Sequence, residues 1–258
     1  MQKNYAIVTG ASSGIGYQIA DVLAAKGYPL ILVARRADRL AAFKTELVQK
    51  YGIAVEVVVL DLSAADAATV LHQKTAAFDV EILVNNAGFG FQANVAEQEM
   101  ARTAEMIALN ITTLTHLTQL YAHDFIQKKR GKILQVASAA ALLPTPYLAA
   151  YAATKSYVRH FSDALAHELR NTPVTVTTLM PGFTATEFGH VADVSMPKLL
   201  IATQTTAREV AEAGVNGMLA GKQSVIPGWF TSMNAFFISI APRKLVTFLT
   251  GYLIEKAV

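Results

Sequence analysis

Two side chains capable of acid–base chemistry, Tyr151 and Lys155, stand four positions apart in a stretch with helical spacing. On a helix, this spacing places both side chains on one face, about one turn apart. The pKa of an ordinary tyrosine is about 10, which is too high for a good base at neutral pH. Because a neighbouring ammonium group favours the phenolate, it lowers that pKa. The pair therefore predicts a tyrosine acid/base that is tuned by a lysine.

A glycine-rich loop follows the first apolar run of the chain. Residues 5–8 lead directly into the sequence TGASSGIG at 9–16, after which a helical pattern begins. Gly10 permits a tight turn, Gly14 lets the backbone approach a pyrophosphate, and Gly16 allows close helix–sheet packing. The N–H groups at the start of the following helix then face the phosphates. Since the loop lies between a strand and a helix, it predicts a dinucleotide site rather than a simple turn.

The second strand candidate ends at Ala34 and is followed by Arg35 and Arg36. A protein that selects NAD places a carboxylate here to bind the ribose 2′-hydroxyl. The first acidic residue is instead Asp38, which we expect in the first turn of the next helix. Planar guanidinium groups suit a 2′-phosphate, so the sequence predicts NADP(H), with NAD(H) as the alternative. The alternative interpretation is that Arg35 and Arg36 are solvated loop residues that bind no phosphate.

The hydrophobic pattern supplies the scaffold for these residues. Short apolar runs alternate with helix-length amphipathic stretches, which is typical of βαβ units and a parallel sheet. Right-handed crossovers then place helices on both faces. We therefore predict an α/β, doubly wound parallel sheet of about seven strands. The strand candidates are 5–8, 30–33, 55–60, 82–84, 132–136, 174–179 and 224–226, and helical patterns include 15–26, 39–51 and 150–170.

The composition limits the class of protein. The chain has 258 residues, enough for one large domain over 1–258 with a substantial core. Hydrophobic residues make up 53% and charged residues 16%, which favours a buried sheet, an oligomer interface or an apolar substrate site. There are no cysteines and no export signal, so we expect a cytoplasmic protein without disulfides. The lysines and arginines behind the net charge of +3 are scattered, and we expect no nucleic-acid binding.

The histidines do not predict a metal site. His116 and His123 are seven positions apart, as are His160 and His167. Two zinc ligands on one helix are usually four positions apart, and neither pair has a convincing third ligand. We therefore expect no metal.

Several spaced motifs together resemble the short-chain dehydrogenase/reductase superfamily, in its compact single-domain form. The resemblance spans roughly residues 5–226. It implies a Rossmann-type fold and an NADP-dependent oxidoreductase that transfers a hydride between the cofactor and a carbonyl or alcohol. The motifs are the glycine loop, Asp61 after the third strand, Asn85-Asn86-Ala87-Gly88 after the fourth, Asn110, Ser138 placed 13 positions before Tyr151, Lys155, and Pro181-Gly182 after the sixth strand.

The resemblance implies a catalytic set of four residues. Tyr151 is expected to transfer the proton, and Ser138 to hydrogen-bond the substrate oxygen. Lys155 is expected to hold the nicotinamide ribose, and Asn110 to support a water-linked proton relay. Taken singly, each would have an ordinary structural role, and only their joint spacing indicates catalysis. The expected cofactor-binding residues, with Asp61 at the adenine and the last two at the nicotinamide carboxamide, are Gly10, Ser12, Ser13, Gly14, Ile15, Gly16, Arg35, Arg36, Asp61, Leu62, Asn86, Ala87, Gly88, Asn110, Tyr151, Lys155, Pro181, Gly182, Thr184 and Thr186.

The leading interpretation is thus a carbonyl reductase or alcohol dehydrogenase. The alternatives are an epimerase or dehydratase-like relative on the same scaffold, and a non-catalytic protein that senses the NADP(H) redox state. A sensor would not need the full set of four catalytic residues. Substrate contacts are expected from residues 89–94, 139–147 and 183–200. Because these segments are rich in Ala, Leu, Phe and Pro, they favour a hydrophobic or aromatic carbonyl.

An apolar extension over residues 227–258 ends the chain. No residue between Lys222 and Arg243 is charged, and aromatic side chains recur at helical spacing. Pro227-Gly228 and Asn234 interrupt the apolar run, so we expect no membrane-spanning helix. The extension could pack on a second subunit of a homo-dimer or homo-tetramer, cover the substrate site, or lie on a membrane with Arg243 and Lys244 at the headgroups. An interface or a lid is favoured over a membrane.

Overall fold

A computed structural model of the chain describes residues 4–187 and 203–255, and its centre is a parallel sheet of seven strands. The prediction of a doubly wound α/β fold is therefore confirmed. The strands are β1 (Tyr5–Thr9), β2 (Leu30–Ala34), β3 (Val55–Val59), β4 (Val80–Asn85), β5 (Gly131–Val136), β6 (Val174–Leu179), β7 (Thr184–Ala185), β8 (Thr205–Thr206) and β9 (Ser224–Val225). Their order in the sheet is β3-β2-β1-β4-β5-β6-β9, and β7 pairs with β8 in a separate short sheet.

Helices cover both faces of the sheet because its central strands are apolar on both sides. In β1, Ala6 and Val8 pack into the core on one face, and Ile7 packs into the core on the other. β2 alternates in the same way, which explains why its apolar run is continuous rather than amphipathic. The helices are α1 (Gly14–Ala25), α2 (Ala37–Tyr51), α3 (Ala67–Thr75), α4 (Met100–Ile107), α5 (Leu114–Gln127), α6 (Ala149–Glu168), α7 (Ala207–Leu219), α8 (Trp229–Ile240) and α9 (Arg243–Glu255).

The strand order reverses between β1 and β4, which lie side by side at the middle of the sheet. In open sheets of this kind, ligands bind in the crevice outside the carboxyl ends of the strands, at such a reversal. The loops that follow β1, β2, β4 and β5 meet at this edge. They carry the glycine loop, the two arginines, the Asn-Asn-Ala-Gly motif and Ser138.

Some local features are not specified by the pattern of strands and helices. The helix that carries Asn110 contains a π-helical turn over Ala108–Thr113, between α4 and α5. The helix before β5 ends through Lys129, which has a φ of 53°, while Gly131 already belongs to the strand. Asn234 is a polar residue within the apolar sequence of α8, and it donates a hydrogen bond to the Phe230 carbonyl.

The C-terminal extension forms α8 and α9, which are separated at Pro242. Thr231 of α8 packs against Gly182, where an added Cβ would lie 2.5 Å from the Thr231 hydroxyl oxygen. Gly251 of α9 packs against Pro146. Both helices therefore adjoin the loops at the carboxyl edge of the sheet. Among the helices of the described residues, none is long and apolar enough to cross a membrane.

Candidate active site

The loop between β1 and α1 is fixed to the end of β4 by side-chain hydrogen bonds. The Asn86 amide donates to the carbonyl oxygens of Thr9 at 2.9 Å and Gly10 at 3.4 Å. In return, the Thr9 hydroxyl accepts from the backbone N–H groups of Asn86 and Ala87, at 2.9 and 3.0 Å. The Thr9 hydroxyl also donates to the Val84 carbonyl. The structure therefore brings Asn86 and Ala87 to the glycine loop.

The start of α1 has the features of an anion-binding helix end. Its N-cap, Ser13, makes no side-chain capping bond, and the first turn holds no acidic residue. First-turn N–H groups have no partners within a helix, so they and the helix dipole favour a phosphate. Gly10 has a φ of +68°, and a Cβ there would lie 2.7 Å from the Asn86 amide nitrogen. Thr186 lies across the loop, 3.5 Å from the Cβ position of Gly14. The bare backbone and the donors fit a pyrophosphate.

Arg36 extends from the end of β2 to the glycine loop. Its guanidinium donates to the Ser13 hydroxyl at 2.6 Å and to the Ser12 hydroxyl at 3.0 Å. It also pairs with Glu187 at 3.1 Å, and Arg39 pairs with the same carboxylate at 2.8 Å. Hydrogen bonds from Arg39 and Arg36 hold the pKa of Glu187 below its usual value. Arg39 and Glu187 were not predicted as cofactor-site residues, and they add a second arginine and a carboxylate beside Arg36.

Arg35 pairs with Glu105 at 3.2 Å and with Asp61 at 3.7 Å. Burial opposes ionisation of Asp61, but hydrogen bonds from the Ser63 N–H and hydroxyl, together with Arg35, hold its pKa below the usual value. Leu62 is buried, and its carbonyl accepts a 2.7 Å hydrogen bond from Thr113. The Leu62 side chain lies in the core, so only its backbone is available for the predicted cofactor contact.

Tyr151 and Lys155 lie on α6, with the Lys155 Nζ 5.9 Å from the centroid of the Tyr151 ring. Lys155 is buried and donates a 2.9 Å hydrogen bond to the Val136 carbonyl at the end of β5. Ser138 follows β5, accepts from the Ala140 N–H at 3.1 Å and hydrogen-bonds Tyr151. The structure therefore brings three of the four predicted catalytic side chains together.

Asn110, the fourth, is buried in the π-helical turn. Its side-chain oxygen accepts from the Phe89 N–H at 3.1 Å, and its amide donates to the Phe89 carbonyl at 2.9 Å and the Thr154 hydroxyl at 3.1 Å. A Cβ on Gly88 would lie 2.8 Å from the Asn110 side-chain oxygen and 3.4 Å from the Lys155 Nζ. Asn110 and Lys155 therefore both contact the loop after β4. Thr154, which no sequence motif indicated, holds Asn110 in place through this hydrogen bond.

The segment after β6 forms the opposite side of the crevice. The Pro181 carbonyl accepts from the Ala139 N–H at 2.8 Å, which ties this segment to the loop after β5. The Thr184 hydroxyl donates to the Gly182 carbonyl at 3.0 Å. Of the predicted substrate segment 183–200, residues 188–200 lie outside the described residues. The predicted contacts of Thr184 and Thr186 with the carboxamide stay predictions.

A sequence model of the short chain dehydrogenase family matches residues 4–194. The chain belongs to this family. A very-long-chain 3-oxoacyl-CoA reductase of Coccidioides immitis is 32% identical over 92% of this chain and 69% of its own length. A short-chain dehydrogenase from Sphingobium yanoikuyae, solved in complex with NADPH, has a TM-score of 0.82 at 27% identity, over 93% of this chain and 97% of its own.

A relative from Burkholderia phymatum, solved in complex with NAD, shares the fold with a TM-score of 0.82 at 23% identity, over 91% of this chain and 92% of its own. The protein is thus an oxidoreductase with the Rossmann-type fold and nicotinamide-cofactor site of short-chain dehydrogenases. Among the residues that the structure of this dehydrogenase describes, no group of three or more His, Asp or Glu side chains is arranged to hold a metal ion.

The electrostatics of this dehydrogenase differ from the sequence-based expectation at Tyr151. Lys155 was predicted to lower the pKa of Tyr151, and for this structure that prediction is wrong. Burial raises the pKa of Tyr151 to about 12, and the hydrogen bond with Ser138 offsets only part of this effect. Burial also lowers the pKa of Lys155 to about 8. At neutral pH, Tyr151 therefore keeps its proton and Lys155 remains mainly charged.

The buried lysine predicts an unusual dependence of stability on pH. Between about pH 8 and 10, the folded dehydrogenase releases the Lys155 proton while the unfolded chain retains it, so the unfolded state binds more protons and stability rises with pH. We expect up to about 1.4 kcal/mol per pH unit in the free energy of unfolding, and no such contribution in Lys155→Met. Above about pH 10, the unfolded chain releases the Tyr151 proton before the folded protein does, because the pKa of Tyr151 is raised, so stability falls as pH rises. Urea unfolding of both proteins without cofactor measures the difference, and equal slopes would contradict the assignment.

Proposed function

We propose that this dehydrogenase reduces a hydrophobic carbonyl compound with NADPH, and that Tyr151 donates the proton. The observation that carries this proposal is the meeting of Tyr151, Ser138, Lys155 and Asn110 at the carboxyl edge of the sheet. They lie beside the loop after β4, which is hydrogen-bonded to the phosphate-binding loop. The site therefore offers a proton donor, a hydrogen-bond donor and a cation next to a dinucleotide site.

The hydroxyl groups of Tyr151 and Ser138 act on the same substrate atom in this proposal. The bound nicotinamide supplies a hydride to the carbonyl carbon. Negative charge then develops on the carbonyl oxygen, where the Ser138 hydroxyl donates a hydrogen bond and Tyr151 transfers its proton. Because its pKa is raised to about 12, Tyr151 holds this proton at neutral pH and enters the reaction as an acid. This protonation state favours catalysis of reduction.

Lys155 and Asn110 support Tyr151 rather than the substrate. Lys155, whose Nζ lies 5.9 Å from the centroid of the Tyr151 ring, holds the nicotinamide ribose in this proposal. With a pKa of about 8, Lys155 is charged at pH 7 and is able to pass a proton on readily. Asn110, held by Phe89 and Thr154, is the proposed link to a water-mediated relay that returns the proton to Lys155. π-helical turns such as the one at Asn110 occur frequently at functional sites.

The preference for NADPH rests on Arg36. Its guanidinium lies against Ser12 and Ser13 of the phosphate loop, whereas Arg35 pairs with carboxylates on the other side. A 2′-phosphate at this position would have Arg36 and Arg39 as charged partners and would compete with Glu187 for both. We therefore assign the 2′-phosphate to Arg36 and Arg39, with Glu187 as the counter-ion that it displaces.

Two variants should change NADPH use in opposite directions. Arg36→Ala removes charge-assisted hydrogen bonds, so kcat/KM for NADPH should fall about 10- to 100-fold, with little change for NADH. Glu187→Gln removes a competing carboxylate, so NADPH binding should tighten about two- to fivefold. Arg159→Ala, which removes a surface arginine of α6, serves as the control. Cofactor titrations and steady-state rates measure both effects, and a uniform loss with both cofactors in Arg36→Ala would overturn the assignment.

For the substrate, we propose a ketone on a long apolar chain. The Coccidioides relative is named for the reduction of very-long-chain 3-oxoacyl-CoA, and the segments 89–94 and 139–147 are rich in apolar residues. NADPH oxidation with 3-oxoacyl thioesters of increasing chain length tests this, and kcat/KM should rise with chain length. Turnover limited to small polar ketones would contradict the proposal. The homo-dimer or homo-tetramer and the cytoplasmic location stay predictions.

A further inference from the structure

The exposed side of α8 carries large apolar side chains. The buried and partly buried residues of this helix are both polar and apolar, and they include Phe230, Thr231, Asn234, Ala235 and Ile238. In a water-soluble protein, the apolar stripe of a helix normally packs on the core. This stripe, with exposures of 77% at Trp229 and 68% at Ile240, comprises Trp229, Met233, Phe236, Phe237 and Ile240.

The next helix, α9, repeats this arrangement. Gly251 and Ile254 are buried, and the exposed side chains recur every three or four residues along the opposite face. The two helices together carry ten exposed large apolar side chains, which is more than half of those found exposed in the described residues. An apolar patch of this kind marks a contact surface. On α9 the stripe comprises Leu245, Phe248, Leu249, Tyr252 and Leu253.

The charges around these stripes favour an anionic surface over a second copy of the chain. Between Lys222 and Glu255, the sequence contains two charged residues, Arg243 and Lys244, and both are cations. A two-fold interface brings the same patch of both copies together, and the one carboxylate of these two helices, Glu255, already accepts a hydrogen bond from Tyr147. Aromatic residues on one face and cations at the edge are typical of helices that lie in a bilayer interface.

The inward faces of these helices hold them against the active-site rim. An added Cβ on Gly182 would contact Thr231, and one on Gly251 would lie 3.3 Å from Pro146. The Tyr147 hydroxyl, in the loop before α6, donates a 3.0 Å hydrogen bond to Glu255. The inward faces therefore contact the rim of the site, while the ten apolar side chains of the outward faces are exposed.

We propose that α8 and α9, the C-terminal helix pair, dock the dehydrogenase on an anionic lipid bilayer. Both helices lie flat in the interface, with the ten apolar side chains among the acyl chains and Arg243 and Lys244 at the headgroups. Because the pair adjoins the loops after β5 and β6, docking places the rim of the active site beside the membrane. This inference does not depend on the identity of the substrate.

The single tryptophan of the chain, Trp229, reports on this docking directly. Vesicles of about 70% phosphatidylcholine and 30% phosphatidylglycerol should shift its emission to the blue, and lipids brominated on the acyl chains should quench it. The protein should co-sediment with these vesicles and bind pure phosphatidylcholine about tenfold more weakly. A blue shift that depends on protein concentration without lipid would instead assign the surface to a second copy. No shift and no co-sedimentation with either vesicle would also overturn the proposal.

A pair of double variants separates docking from general effects of charge. Phe237→Glu with Phe248→Glu should lower vesicle binding about tenfold or more, because two apolar side chains are lost from the interface. Val95→Glu with Met100→Glu adds the same charge at exposed apolar positions outside the pair and should bind like the wild type. Equal loss in both would contradict the proposal. If the first variant does not fold, the quenching of Trp229 in the wild type remains the test.

Discussion

Replacement of Tyr151 by phenylalanine should lower kcat/KM for carbonyl reduction about 10²- to 10⁴-fold. The substitution removes the hydroxyl that hydrogen-bonds Ser138 and carries the transferable proton, but it keeps the ring that packs against the loop after β4. The dissociation constant for NADPH should therefore change little. Steady-state rates and cofactor titration on the same preparation measure the two quantities.

The control for this variant is Tyr157→Phe on the same helix. Its hydroxyl hydrogen-bonds Thr115 at 2.9 Å and has no role in the proposed reaction. This variant should retain nearly the full rate. If Tyr151→Phe kept more than about a tenth of the wild-type activity, the proton would have to come from another group, and the assignment would be wrong.

The second large effect is expected from a residue that carries no functional group. A Cβ on Gly90 would lie 2.5 Å from Cδ2 and 2.7 Å from Cγ of Tyr151. These atoms are close to the backbone of α6, so in Gly90→Ala the ring has to move as a whole. Since a displacement of about 1 Å at a catalytic group can cost about 10²-fold in rate, we expect a loss of that order in kcat.

The position of Tyr151, rather than the stability of the fold, should account for this loss. Gly52→Ala replaces a glycine with a φ of 64° at the end of α2, where a Cβ meets no other atom within 4 Å. That variant should lose stability without losing kcat. Wild-type kcat in Gly90→Ala would contradict the prediction that the close approach of Gly90 positions the Tyr151 ring for catalysis. Thermal unfolding and steady-state rates of both variants give the comparison.

The elements and the main site residues were accessible from the sequence because their signals are local. β1 and β2 read as continuous apolar runs, since both of their faces are buried, and the four-residue spacing of Tyr151 and Lys155 reflects one turn of α6. Because each motif follows the carboxyl end of a predicted strand, the motifs were expected to meet at one edge of the sheet. Local signals of this kind suffice when a parallel sheet collects its loops at one edge.

What the sequence did not reveal depends on contacts between distant segments or on burial. Arg36 and Glu187 are 151 positions apart, and nothing local links them. The left-handed backbone of Tyr147, with a φ of 63°, is also not indicated by its residue type. The pKa of Tyr151 follows from desolvation, which composition and spacing do not report. Periodicity likewise identified the apolar stripes of α8 and α9 but not that they face solvent.

The central claim, that this site transfers a hydride to a carbonyl, is tested most directly with NADPH deuterated at the nicotinamide C4. Wild-type protein is incubated with each C4 epimer of the labelled cofactor and a long-chain 3-oxoacyl thioester, and the product alcohol is analysed by mass spectrometry. We expect one epimer to place deuterium on the carbinol carbon, and Tyr151→Phe to give almost no labelled product. Tight NADPH binding without labelled product from any carbonyl tested would contradict the claim and indicate a sensor of the cofactor.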